Sequence, residues 1–144
     1  MSHYEQEPDS PFVVLAHFYP AVQRAFSQRL GMSFSRIEVL HELMHEGELS
    51  QAELARRLDK EGALLTRFLK QMEADGLVTR RVDPADNRYT LVRLAPAGET
   101  TLQRMDALGQ EQERALLEGV SDADRAAVIR ILLQIEANFE RMTQ

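Results

Sequence analysis

Between Leu49 and Leu94 the hydrophobic period of the chain switches from helical to extended, and this switch limits the fold more than any other feature. LSQAELARRLD, residues 49–59, has the signature of a short helix. Ser50 and Glu53 stand at capping-box spacing, and Leu49 and Leu54 occupy the flanking apolar positions. A loop around Lys60 follows. ALLTRFLKQMEADG, residues 63–76, repeats apolar residues every three or four positions and stops at Gly76. From Leu77 the pattern becomes LVTRRVDPADNRYTLVRL. This is two runs rich in Val, Leu, Thr and Tyr, parted by Asp-Pro-Ala-Asp-Asn turn chemistry, so a two-stranded β-hairpin is expected.

The flanks are helical. Residues 11–30, PFVVLAHFYPAVQRAFSQRL, make a first helix opened by Pro11, kinked at Pro20 and ended by Gly31. SFSRIEVLHELMHEG makes a second, capped by Ser33 or by Ser35 in a Ser35-x-x-Glu38 box and closed by Gly47. Ile37, Val39, Leu40, Leu43 and Met44 face inward. Two more helices span about 97–118 and 122–141, with Ser121 as N-cap of the last. Helix, short helix, turn, helix and hairpin in that order is a winged helix-turn-helix, in which the helix after the turn enters the DNA major groove. The fold class is mainly α with a small β-hairpin wing. One domain of 144 residues is expected, with a DNA-binding lobe at 33–96 and terminal helices at 11–32 and 97–142.

The net charge of −6 argues against a nucleic-acid partner until its distribution is considered. From Ser50 to Leu94 there are nine Arg or Lys against seven Asp or Glu, whereas the remainder carries eight against sixteen. Of the 17 basic residues 15 are Arg, the side chain suited to bidentate phosphate and base contacts. The chain has no Cys, which excludes disulfides and thiolate metal sites. No apolar run is long enough for a membrane span and the N-terminus is acidic, so the expected location is the cytoplasm and no membrane partner is expected.

On a helical wheel Leu65, Phe68, Leu69 and Met72 share one arc, the core stripe. Ala63, Thr66, Arg67, Lys70 and Ala74 share another face that is small, hydrogen-bonding and cationic, with Leu64 at the border. Arg67 is the candidate for a base edge, preferably guanine. Lys70 is the candidate for a phosphate, Thr66 for either, and Leu64 for a thymine methyl or for packing alone. Ser50 and Gln51 join them as candidate DNA contacts. The bland alternative is a solvated helix face with two cations. The hairpin weighs against it, because Arg80, Arg81, Arg88 and Arg93 lie on or beside it. At its tip Asp86 stands two residues before Arg88, where a carboxylate can orient a guanidinium for a narrow minor groove; an ordinary surface ion pair is the alternative.

One motif points elsewhere. His41-Glu42-Leu43-Met44-His45 matches HExxH, the zinc-peptidase helix. A catalytic zinc needs a third protein ligand, and the only other histidines are His3 and His17. A polar helix face is the expectation, with a zinc-dependent peptidase or a metal sensor as alternatives. No catalytic residue, metal or cofactor is assigned.

The stretch LSQAELARRLDKEGALLTRFLKQMEADGLVTRRVDPADNRYTLVRLAPAGE resembles the DNA-binding core of the MarR (multiple antibiotic resistance regulator) family of bacterial transcriptional regulators. The resemblance rests on AELARRL, TR, QMEADGLV, D-P-x-D-x-R and L-x-PAG in combination. It implies a triangular homodimer with intertwined terminal helices and two winged lobes on a palindromic operator. It implies Arg88 as the minor-groove residue with Asp86 as its partner, and a repressor relieved by a small aromatic or anionic effector. His17, Tyr19, Arg24 and His41 are the candidate effector-pocket residues. Two departures stand out. Ala63 and Leu64 replace the Ser and Thr common in relatives, and Ala95 replaces the usual Thr, leaving the fifth helix without an N-cap. Val128, Ile131, Leu132, Ile135, Phe139 and Met142 form an apolar stripe on the last helix that a dimer would cover. The competing binding-module reading is a winged helix that docks an acidic protein partner.

Overall fold

The computed structural model describes residues 8–143. Helix α1 (Pro11–Leu30) starts at Ser10, whose hydroxyl accepts from the Phe12 N–H, and continues through Pro20. At its end the Gly31 and Met32 amides both return to the Ser27 carbonyl, with Gly31 left-handed. Helix α2 (Phe34–Glu46) follows. Ser33 is its N-cap by backbone position but makes no side-chain cap, and Ser35 lies inside the helix, so the expected Ser35–Glu38 box does not form. Glu38 instead pairs with Lys60 at 3.0 Å. Ile37, Val39, Leu40 and Leu43 are buried as expected, but Met44 is exposed, because the inward arc ends at Leu43.

Gly47 (φ 77°, ψ −132°) then turns the chain through a conformation open only to glycine, into an element that sequence patterning missed. Leu49–Ser50 forms a two-residue strand, β1. It pairs antiparallel with the wing, Leu49 opposite Val92 and Ser50 opposite Leu91. Two residues are too few to show alternation, and the extended backbone of Ser50 serves both the strand and the N-cap of α3 (Gln51–Arg57). The Ser50 hydroxyl accepts from the Glu53 N–H at 3.1 Å. The reciprocal half of the capping box is missing, since the Glu53 carboxylate turns to Arg56 and Arg57, which hold it far below the usual carboxylate range, at about 2.

Helix α4 (Gly62–Ala74) is followed by β2 (Val78–Val82) and β3 (Thr90–Leu94), and the sheet order is β1-β3-β2. The wing is therefore the larger part of a three-stranded sheet rather than a free hairpin. Leu65, Leu69 and Met72 of α4 pack with Leu40, Leu54 and Val92 in one core, and Phe68 covers its edge. Helix α5 (Pro96–Leu116) has no side-chain N-cap. Its first turn is held by a close approach: a Cβ on Gly98 would lie 2.1 Å from the Leu77 carbonyl oxygen, the same oxygen that accepts from the Ala95 N–H. This contact explains physically why glycine ends the Pro96-Ala97-Gly98 triplet.

The chain divides into two compact units, one ending at Gly109 and one beginning at Gln110. The second unit contains the end of α5 and helix α6 (Asp122–Met142), joined through the left-handed Gly119. The Ser121 hydroxyl caps α6 by accepting from the Asp124 N–H, and Arg125 pairs with Glu113. No residue of α6 is buried. Val128, Ile131, Leu132, Phe139 and Met142 are all exposed, and Ile135 is half-buried.

Replacing Gly98 with Ala is expected to lower unfolding stability by about 1–3 kcal/mol, because the backbone neighbour at Leu77 has no rotamer through which to escape. Urea denaturation of the variant measures it, and an unchanged midpoint would show that the α5 start shifts freely.

Candidate nucleic-acid interface

The DNA-facing candidates on α4 occupy its outer side. Ala63, Leu64, Arg67 and Lys70 are exposed, and Thr66 is half-buried. Arg67 and Lys70 have no ion pair or side-chain hydrogen bond among the described residues. Leu64 is 44% exposed, so it belongs to the outer face rather than to the core.

The other cations of this lobe are engaged. Arg80, expected at the DNA surface, is bound inward. Its backbone N–H and its Nε both donate to Glu73, at 3.0 Å, and its guanidinium reaches Gln51 Oε1 at 3.2 Å. Gln51 Nε2 in turn donates to Thr66 Oγ1 at 3.1 Å, and that hydroxyl donates to the Gly62 carbonyl at 2.9 Å. Three candidates, Gln51, Thr66 and Arg80, are thus joined in one chain of hydrogen bonds that ties α3, α4 and β2 together. Arg81 forms a two-pronged pair with Glu48 at 3.0 and 2.6 Å, which holds the Glu48 carboxyl below its ordinary range. Arg93 donates to the Thr79 hydroxyl across the wing strands.

The wing tip has the geometry its sequence suggests. The Asp83 carboxylate accepts from the Ala85 N–H at 2.8 Å, and the Asp83 N–H and Tyr89 carbonyl close the turn. Asp86 accepts from the Arg88 backbone N–H at 3.1 Å and from its Nε and Nη2, the latter at 2.6 Å. The Arg88 guanidinium and backbone N–H hold the Asp86 carboxyl below its ordinary range. The guanidinium also lies 5.9 Å from the Tyr89 ring centroid, over its face. Yet the Arg88 side chain is 78% exposed, so it is oriented without being withdrawn from solvent.

His41, Glu42 and His45 of the HELMH stretch lie on the polar side of α2, while Leu43 is buried in the core. The His41 and His45 rings meet edge to face at 4.7 Å, while Glu42 pairs with Arg57 at 3.0 Å. Glu42 is thus part of an ion-pair cluster linking α2 to α3, together with Glu46 and Glu53. No three metal-ligating side chains come together among the described residues, and His3 lies outside them. Of the effector-pocket candidates, Arg24 lines an open recess of about 480 Å³ with Gln23, Ser27, Gln28, Ser33 and Phe34. His17, Tyr19 and His41 are exposed and are not part of its lining.

The fold recurs in known proteins. The MarR family model matches residues 30–88. YdgJ, an HTH-type transcriptional regulator of Bacillus subtilis, is 38% identical over 120 residues, covering 81% of this chain and 71% of YdgJ. The chain belongs to the MarR family. The crystal structure of apo wild-type MarR from E. coli superposes with a TM-score of 0.79 at 21% identity, covering 90% of this chain and 98% of MarR. BpsR of Bordetella bronchiseptica, whose DNA binding is regulated by 6-hydroxynicotinic acid, superposes with a TM-score of 0.70 at 22% identity, over 87% and 97% of the two chains. As a MarR-family protein this chain is a DNA-binding transcriptional regulator and not an enzyme. No helix among its described residues is long and apolar enough to cross a membrane.

Two acids of this MarR-family lobe escaped the sequence reading, Glu48 and Glu73. For Glu73 a signal was present, since it is one of seven acids interleaved with nine bases between Ser50 and Leu94, although spacing alone does not say which pairs form; Glu48 lies outside that segment.

Two predictions concern the paired arginines. Arg88→Ala should weaken duplex binding and reduce the log–log salt slope by about one unit per lobe. Asp86→Ala should cost less, because the arginine remains but must be ordered on binding. In a double-mutant cycle at moderate salt the Asp86 effect should largely vanish once Arg88 is Ala; strictly additive losses would mean that Asp86 does not act through Arg88. Glu48→Gln should tighten binding to all duplexes alike and steepen the salt slope, since it releases Arg81 and removes an anion. Unchanged affinity in this variant, measured by fluorescence anisotropy, would place Arg81 off the DNA.

Proposed function

We propose that the chain acts as a homodimer that reads a palindromic operator and represses the overlapping promoter. The observation that carries the reading is the outer face of α4, where Arg67 and Lys70 stand exposed and unpaired in a lobe whose other wing and helix cations have partners. In the proposed complex α4 enters the major groove, Arg67 takes a guanine edge, Lys70 a phosphate, and Arg88 the adjacent minor groove. Ser50, at the N-terminus of α3, and Arg81 face phosphates. Two such lobes reach successive major grooves when held roughly 34 Å apart, and the uncovered apolar residues of α6 are the surface proposed to hold them. A bound dimer excludes polymerase from the sites it covers, which makes repression the default output.

A small aromatic anion is the proposed effector. The recess beside Arg24 supports this, since it combines a guanidinium, the Phe34 ring and several hydrogen-bonding side chains. The regulation of BpsR by an aromatic acid is consistent with it. An effector acts by favouring a lobe spacing that no longer fits two grooves.

The test starts from duplexes selected out of a random pool. Arg67→Ala should relax preference at one position in each half-site and cost about 1–3 kcal/mol there, whereas Lys70→Ala should weaken all sequences alike. Deleting residues 122–144 should abolish both the dimer, measured by light scattering, and operator binding. Uniform loss in both point variants would remove Arg67 from base reading, and selection of no sequence at all would favour a protein-docking winged helix.

A further inference from the structure

The hydrogen-bond chain through Thr66 has fixed polarity, and its polarity decides what α4 shows to DNA. Glu73 is an anion and only accepts, and Arg80 only donates. Arg80 therefore donates at both ends, to Glu73 and to Gln51. The Gln51 atom facing Arg80 must be its carbonyl oxygen, which turns the Gln51 amide NH2 toward Thr66. The Thr66 oxygen accepts there, and its single hydrogen goes to the Gly62 carbonyl. A hydroxyl has one hydrogen to give, so Thr66 has none left for a phosphate or a base acceptor. The part of its side chain without a hydrogen-bond partner is the methyl group.

The neighbouring outward positions carry no polar atoms either. Ala63 is exposed, and Leu64 is 44% exposed in a protein whose core is otherwise complete around α4. The first turn of this helix therefore offers an apolar surface, and the first side chain beyond it with free donors is Arg67. In the major groove the one apolar feature of a base pair is the thymine 5-methyl group.

We propose that Ala63, Leu64 and Thr66 form a methyl-reading patch that selects thymine in each half-site, with Leu64 as its main contact and the Glu73–Arg80–Gln51 chain as the device that keeps the Thr66 hydroxyl turned away. Arg80 and Gln51 are then positioning residues and not DNA contacts. The inference rests on the proposed placement of α4 in the major groove, and it adds the chemical class of base that the helix reads.

The test uses a selected operator duplex in which each thymine is replaced, one symmetric pair at a time, by deoxyuridine. This removes only the methyl group and leaves every hydrogen-bonding atom. For the wild-type protein, one or two thymine positions should show a loss of about four-fold per methyl, hence about fifteen-fold when both half-sites are changed. Leu64→Ala, at an exposed position where folding is not at risk, should bind the thymine operator more weakly and lose its sensitivity to deoxyuridine at one of those positions. Glu73→Gln should weaken the operator but leave the deoxyuridine loss at the Leu64 position in place. Sequence-selective binding with no deoxyuridine effect at any position would overturn the methyl-reading patch while leaving the DNA-binding reading intact. A deoxyuridine loss that persists undiminished in Leu64→Ala would likewise overturn Leu64 as the contact. Absence of any sequence-selective binding would instead remove the placement of α4 on which the inference rests.

Discussion

The half-buried ion pair between Glu73 and Arg80 is the interaction on which the proposed reading surface depends. Arg80 is only 19% exposed in its side chain, and Glu73 satisfies both its backbone N–H and its guanidinium. Such a pair contributes little net stability, because desolvation offsets attraction, but removing one partner leaves a charge that is hard to bury. Its effect here is directional. One charge fixes the orientation of a neutral amide and a hydroxyl several ångströms away, and so determines which atoms of α4 remain free. The pair also joins the second half of α4 to the first strand of the wing. Helix α4 and the wing are therefore braced directly against each other as well as against a common core.

The same economy of charge answers how an acidic chain can bind a polyanion. The lobe does not present its arginines as a diffuse positive field. Arg80, Arg81 and Arg88 each have a carboxylate, while Arg67 and Lys70 have none. Non-specific attraction scales with the number of phosphates that free cations neutralise, so such pairing suppresses binding to arbitrary sequence. Where the paired arginine is exposed, as Arg88 is, the carboxylate would also reduce the ordering cost of the proposed DNA contact. Pairing thus costs affinity everywhere and less at the matched site, which is how selectivity rises.

Much of this was legible in the sequence because it is periodic or local. The core stripe of α4, the caps at Ser50 and Ser121, and the Asp86–Arg88 contact two residues apart are all set by short-range spacing, and the structure reproduces them. What escaped was of two kinds. Elements too short to carry a period, such as β1, exist only because a partner strand supplies their hydrogen bonds. Long-range side-chain choices are invisible to spacing. Arg81 finds Glu48 across 33 positions, and Arg36 finds Asp75 across 39. Arg80 sits among four arginines that look equivalent in sequence, and only burial separates it from the exposed Arg88. The HELMH motif is the converse case. Its residue types suggest chemistry, but Arg57 pairs with its glutamate and, among the described residues, the two histidine rings meet each other rather than a third metal-ligating group.

A lobe with so few free cations has a consequence for assembly. On the proposed reading, two unpaired side chains and wing arginines that are exposed but partnered would give a single lobe little hold on one half-site at physiological salt, where exposed charges are screened within about 8 Å. In the proposed dimer the second lobe would supply the missing affinity by binding as an intramolecular event at high effective concentration. The apolar face of α6 carries no buried residue in the single chain, and covering residues such as Ile131, Leu132 and Phe139 would gain about 1.5–3 kcal/mol each. In the proposed dimer that hydrophobic energy is what makes weak, selective lobes cooperate. On that proposal, charge pairing in the lobe and exposed hydrocarbon on α6 are linked: the first would make one half-site insufficient, and the second would supply the other.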